Sequence, residues 1–195
     1  MKSGERQPAE DESDLVRRLG VGDAAGFDAL FEKHRRGLFA YVRGLVGDYG
    51  VAEEIVQDCF LELVRNGRRI RPEQGAGGWL YRVARNRAID VLRAQALGPD
   101  AATRESQDGT EGECLAAPGP SPDQDAIGRE SAADVRRALE MLPQKERDLL
   151  LLRYFGDLKF NEIARMRKRP LGTVLWQATR SLEKIRLLLM DKDKA

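Results

Sequence analysis

Apolar residues recur along the first half of the chain at the three- and four-residue spacing of a single helical face. Phe27, Leu30, Phe31, Leu38, Tyr41, Val42 and Leu45 mark one stripe. Asp23, after Gly22, is positioned to cap its start, and Gly47-Asp48 break it. Val51, Ala52, Ile55, Val56, Cys59, Phe60, Leu63 and Val64 mark a second stripe, ended by Asn66-Gly67. The loop RRIRPEQGAGG leads to a third long helix starting near Trp79, with Trp79, Leu80, Val83, Ala84, Val91 and Leu92 on its buried side. A short helix over 14–19 is expected to pack on these three. The second half predicts helices over 133–142, stopped by Pro143, then over 145–154, 160–166 and 171–189. No period-two alternation of strand type occurs, so the fold class is all-α.

Between the halves the pattern disappears. Residues 98–130 carry Pro99, Pro118, Pro120 and Pro122 among glycines, serines and acids. Such a stretch cannot bury enough apolar surface to offset its ordering entropy, and it reads as a flexible linker. The expected organisation is an acidic tail over 1–14, a helical domain over 15–97, the linker over 98–130 and a second helical domain over 131–195. The two domains are expected to be joined loosely or held only by a direct contact between them.

Charge sharpens this division. The net charge of the whole chain is +1, but the four segments carry −3, +4, −6 and +6 in order. Two basic blocks around an acidic one suggest nucleic-acid contact by the basic blocks. Composition excludes other classes. The 195 residues are 42% hydrophobic and include two cysteines and one histidine, which rules out a disulfide framework and a Cys/His zinc module. Neither cofactor nor metal is expected. No apolar run approaches the roughly 18 residues of a membrane span. No basic start precedes an apolar segment, so a cytoplasmic protein is expected. The GAGG run at 75–78 lacks the strand and lysine of a phosphate loop, and no nucleophile stands beside a base, so the chain does not read as an enzyme. Cys59 reads as core and Cys114 falls in the linker.

Three constellations remain. Ile163 and Ala164 followed ten positions later by Val174, with Pro170 and Gly172-Thr173 opening the second helix, fit a helix-turn-helix. Arg165, Arg167, Lys168 and Arg169 cluster at its turn, where DNA phosphates would lie. The stretch from Arg65 to Arg93 has eight arginines against Glu73 and Asp90, with Trp79 and Tyr81 interleaved, as melted DNA would require. Glu54, Asp58 and Glu62 form an acidic line at four-residue spacing beside Gln57.

AEEIVQDCFLELVRN followed by GGWLYRVARNRAIDVLR resembles region 2 of the sigma-70 family of bacterial transcription initiation factors. ALEMLPQKERDLLLLRYFGDLKFNEIA followed by PLGTV resembles region 4. With no further domain between them, the pair is similar to the extracytoplasmic-function group. The resemblance implies a protein that binds core RNA polymerase, recognises and melts promoter DNA, and is held by an anti-sigma factor. It assigns polymerase binding to Glu54, Gln57, Asp58 and Glu62. It assigns the −10 element to Arg71, Trp79, Arg82, Arg85, Asn86 and Arg93, and the −35 element to Arg169, Gly172, Thr173, Gln177 and Arg180. The chain departs from the family at the turn, where Arg167 and Lys168 replace a hydrophobic residue and a glycine. It departs again on the recognition helix, where Leu175 and Trp176 replace basic and polar residues. The alternative these substitutions leave is a sigma-like adaptor with altered or absent −35 recognition.

Overall fold

The computed structural model describes residues 11–72, 75–96 and 132–192. The expected linker and residues 1–10 of the expected tail lie outside the described residues. Within these, the chain forms α1 (Glu12–Gly20), α2 (Ala24–Val46), α3 (Tyr49–Asn66), a 3-10 turn (Gly67–Arg69), α4 (Ala76–Ala96), α5 (132–140), α6 (Gln144–Tyr154), α7 (Phe160–Arg167) and α8 (Leu171–Lys192). No strand occurs among the described residues.

Aspartates start the first three helices. Asp11, Asp23 and Asp48 accept the backbone N–H groups of Ser13, Ala25 and Val51 at 3.3, 2.9 and 2.8 Å. Gly47, at φ 79, ends α2 in the left-handed region where a side chain would be strained. The expected tail boundary at 14/15 falls inside α1, because the Asp11 cap begins the helix at Glu12. The α4 helix begins at Ala76, three residues before the expected start. Its early N–H groups find an acceptor far away in sequence: Glu12 Oε1 accepts from Gly77 at 2.8 Å.

The helices α1 to α4 pack around α2, burying Leu30, Leu38, Tyr41, Leu63, Leu80 and Ala84 completely. On α4 the fully enclosed aromatic is Tyr81, whereas Trp79 only packs partly against the core. Val64 leaves the core at 55% exposure. Along 52–56–60–64 each step of four advances about 40° around the helix, which carries Val64 off the buried face.

The second half does not stand apart. The α6 helix lies on α2, and Leu149, Leu151 and Leu152 join the same apolar core as Leu38 and Tyr41. Two glycines seven residues apart on α2 permit the approach. A Cβ at Gly37 would stand 2.6 Å from the Phe155 carbonyl oxygen, and one at Gly44 would stand 2.9 Å from Leu151 Cδ1. Each fully buried leucine contributes roughly 1.5–3 kcal/mol, so three from α6 make this junction part of the fold's stability.

Candidate polymerase and nucleic-acid interfaces

The α3 helix turns Ala52, Ile55, Cys59 and Leu63 inward and so presents Glu54, Gln57, Asp58 and Glu62 on the other side. The acidic line is partly neutralised. Arg87, from α4, donates to Asp58 Oδ2 at 2.7 Å and to Glu62 Oε1 at 2.5 Å. Burial opposes the Arg87 charge, but the two carboxylates outweigh it and hold its proton more firmly than usual. This arginine, counted with the basic face in sequence, belongs spatially to the acidic one. Leu61 and Val64 are exposed on the same helix, an apolar component that the periodicity had assigned in part to the core. Cys59 sits beneath, and burial pushes its thiol up to about 12, which keeps it inert.

On α4 the −10 candidates divide. Arg82, Asn86 and Arg93 are exposed and spaced by four and seven residues, which sets them along one face, with Arg71 exposed in the preceding loop. Arg93 pairs with Asp90 at 3.5 Å across an exposed turn, a contact of small energetic weight. Trp79 is half-buried and braces the first turn. Arg85 points elsewhere: its Nε donates to Asp148 of α6 at 2.9 Å.

Asp148 is a buried hub, with 3% of its surface exposed. Its Oδ1 accepts the Tyr41 hydroxyl at 2.9 Å, and its Oδ2 faces both Arg85 and Arg167, the latter at 3.7 Å. Burial pushes the Tyr41 phenol well above its ordinary value, and the Asp148 charge adds to that. Arg167 is one of the four turn residues expected to face phosphates. It is instead turned inward at 7% exposure, donating to the Lys145 carbonyl at 3.0 Å, with Nη1 left without a partner. The hydrophobic slot of the turn is thus filled by a guanidinium, and Asp148 offsets its charge. Burial lowers the Arg167 affinity for its proton.

The helix-turn-helix itself forms as the spacing predicts. Ile163, Ala164 and Val174 are buried together, and Lys168 adopts the left-handed conformation at φ 52 that glycine would adopt more cheaply. Its N–H and that of Arg169 close the turn on α7 carbonyls. The α8 helix buries Val174, Ala178 and Ser181. Arg169, Gly172, Thr173 and Arg180 are therefore exposed, while Gln177 sits at the edge of the packed face. Leu175 and Trp176 share the exposed face. Sequence had marked neither the Tyr41–Asp148 bond nor Arg167 as inward-facing. The signals present were a charged residue inside the apolar α6 run and the paired glycines of α2.

No helix of the described residues is long and apolar enough to cross a membrane. The chain matches sigma-70 region 2 over residues 30–97 and sigma-70 region 4 over 132–185. It is 30% identical to the RNA polymerase sigma-H factor of Pseudomonas aeruginosa over 178 residues, covering 90% of this chain and 92% of that protein. It is 26% identical to the extracytoplasmic-function sigma factor SigW of Bacillus subtilis, covering 90% and 95%. Among solved structures, CnrH in complex with the cytosolic domain of CnrY shares the fold at a TM-score of 0.67 with 18% identity, covering 93% of this chain and 99% of that one. RpoE of Bartonella quintana, solved with the anti-sigma factor NepR, does so at 0.63 with 20% identity, covering 84% and 96%.

Proposed function

Since the chain belongs to the extracytoplasmic-function group of the sigma-70 family and directs promoter-specific transcription initiation, we propose that its two halves divide the work as follows. Glu54, Gln57, Asp58 and Glu62 of α3, with Leu61 and Val64 beside them, dock on core RNA polymerase. Arg71, Trp79, Arg82, Arg85, Asn86 and Arg93 engage the −10 element and its melted strand. Arg169, Gly172, Thr173, Gln177 and Arg180 engage the −35 element. The protein acts in the cytoplasm, without catalysis or a cofactor of its own. Guanidiniums spaced along one face suit a phosphate backbone, and the resulting affinity depends on salt through counterion release.

One observation carries a further part of this reading: Arg85 and Arg167 are both consumed by Asp148 at the junction of the halves. A chain that needs Arg85 for DNA has to part α6 from α2 and α4 first. We therefore read this arrangement as a closed, inactive form that opens on polymerase. CnrH and RpoE were each solved with a bound partner, that of RpoE being an anti-sigma factor. A partner of that kind would hold this chain closed by adding contacts to both halves. Run-off transcription by core polymerase with this chain, on a library of genomic promoters, tests the assignment. Specific initiation is expected, and polymerase capture without initiation would favour the adaptor, the reading that exposed Leu175 and Trp176 support.

A further inference from the structure

The packing of Val174, Ala178 and Ser181 fixes which side of α8 meets solvent. Its first two turns present an apolar patch there: Leu171, Leu175 and Trp176 are 44%, 42% and 58% exposed. The rim of this patch is cationic. Arg165, Lys168 and Arg169 of α7 and the turn are exposed, and the Arg180 guanidinium carbon lies 5.2 Å from the centre of the Trp176 ring. Two acids lie near. Glu162 accepts the Lys159 N–H at 2.7 Å, and Glu183 stands one turn further along α8. Thr179 spends its hydroxyl proton on the Leu175 carbonyl at 3.2 Å, so it offers no free donor to a base. An apolar floor inside a positive rim matches the major groove, where phosphates form the edges and the thymine C5-methyl is the apolar group on the floor.

We propose that Leu175 and Trp176 are specificity-determining residues of the −35 contact, selecting thymine by packing against its methyl group. Arg180, stacked on the tryptophan ring, is held in position for a phosphate or a guanine edge. This inference rests on the reading of α8 as the −35 helix.

Holoenzyme reconstituted from the full chain and core polymerase tests both levels. A promoter is selected from a library randomised across the −35 element, and its affinity is compared with that of a version scrambled there. Each −35 thymine is then replaced by deoxyuridine, which removes only the methyl group. Selection of thymine is expected, with one or two positions where deoxyuridine weakens wild-type binding about three- to fourfold, the worth of one methyl taken from water. Holoenzymes carrying Leu175→Ala or Trp176→Ala should not respond to that replacement. Deoxyuridine without effect while scrambling is costly would overturn the methyl assignment and leave the −35 reading standing. Scrambling without effect would remove the −35 reading itself. Loss of core-polymerase capture by Trp176→Ala in the absence of DNA would give the face to a protein partner and overturn the proposal.

Discussion

Arg85 and Asp148, 63 positions apart, meet at 2.9 Å across the junction of the two halves. The same carboxylate faces Arg167 and accepts the Tyr41 hydroxyl, so one buried negative charge serves two guanidiniums. Removing it leaves two like charges in an enclosed space. Asp148→Ala should destabilise the closed arrangement by about 3–5 kcal/mol, the usual consequence of breaking a buried pair. The expected result is a larger radius of gyration by small-angle scattering and faster hydrogen exchange in α6, with α3 still protected. A variant as compact as the wild type would show that apolar packing alone holds the halves together.

Gly37→Ala approaches the same junction by steric means. The added Cβ would meet the Phe155 carbonyl oxygen at 2.6 Å and the Tyr81 hydroxyl at 2.7 Å, where those two groups already bond to each other. Within α2 alone, alanine favours the helix by about 1 kcal/mol over glycine. The substitution should therefore loosen α6 and strain the Tyr81 packing of α4, while α1 and α3 stay equally or more stable. Residue-resolved exchange separates the two effects, and uniform destabilisation would contradict this reading of α2.

Much of this architecture is legible locally. The stripes of α2 and α3, the Asp23 cap and the Gly47 stop are all short-range signals, and the helix ends fall within a few residues of expectation. The helix-turn-helix is legible because Ala164 and Val174 meet through a fixed turn. What is hidden depends on pairing across the chain. Tyr41 and Asp148 are 107 positions apart, and nothing near either one announces the other. The early start of α4 depends on Glu12, 65 positions upstream. Arg87 reads as part of a DNA face until α3 lies beside it. Of the −10 candidates, the shared exposed face of Arg82, Asn86 and Arg93 follows from helix geometry, whereas the diversion of Arg85 depends on the position of α6.

Asp58→Arg should reduce capture of core polymerase, with circular dichroism unchanged, because Asp58 is half-exposed on the face proposed to dock. Arg87→Ala provides the paired measurement. It releases Asp58 and Glu62 from their shared partner and should leave polymerase capture equal or stronger. Equal capture by Asp58→Arg and wild type would remove α3 as the docking helix.

Arg82 and Arg85 should separate in salt titrations of promoter binding. Arg82 is exposed, and Arg82→Ala should weaken holoenzyme binding and lower the logarithmic salt slope by about one, with no change in the compactness of the free protein. Arg85→Ala should do the same to DNA binding and also loosen the free protein, since Asp148 loses its closest cation. A variant that loosens the free chain but leaves the salt slope intact would make Arg85 a junction residue only.

Glu12 gives the fold a pH dependence whose sign is determined by its surroundings. Burial alone would raise its carboxyl, but His34, Lys33 and the Gly77 N–H outweigh that and hold it well below the usual 4.5. Lys33 Nζ lies 2.5 Å from Oε2, and His34 Nε2 lies 3.3 Å from Oε1. A carboxyl depressed in the folded state stabilises fully above its unfolded value and loses that contribution as pH falls through the folded one. The tie between α1, α2 and the start of α4 should thus weaken progressively as pH falls below about 4.5, where the Glu12 carboxylate of the unfolded chain takes up its proton. Glu12→Gln should lower stability at pH 7 by about 1–2 kcal/mol, the range of a charge-assisted bond reduced for the exposure of Lys33. The gap between variant and wild type in urea midpoints should narrow as the buffer is taken from pH 6 towards pH 3. A gap that stays constant through that interval would mean that the Glu12 charge contributes nothing, and that its bond to the α4 backbone acts through shape alone.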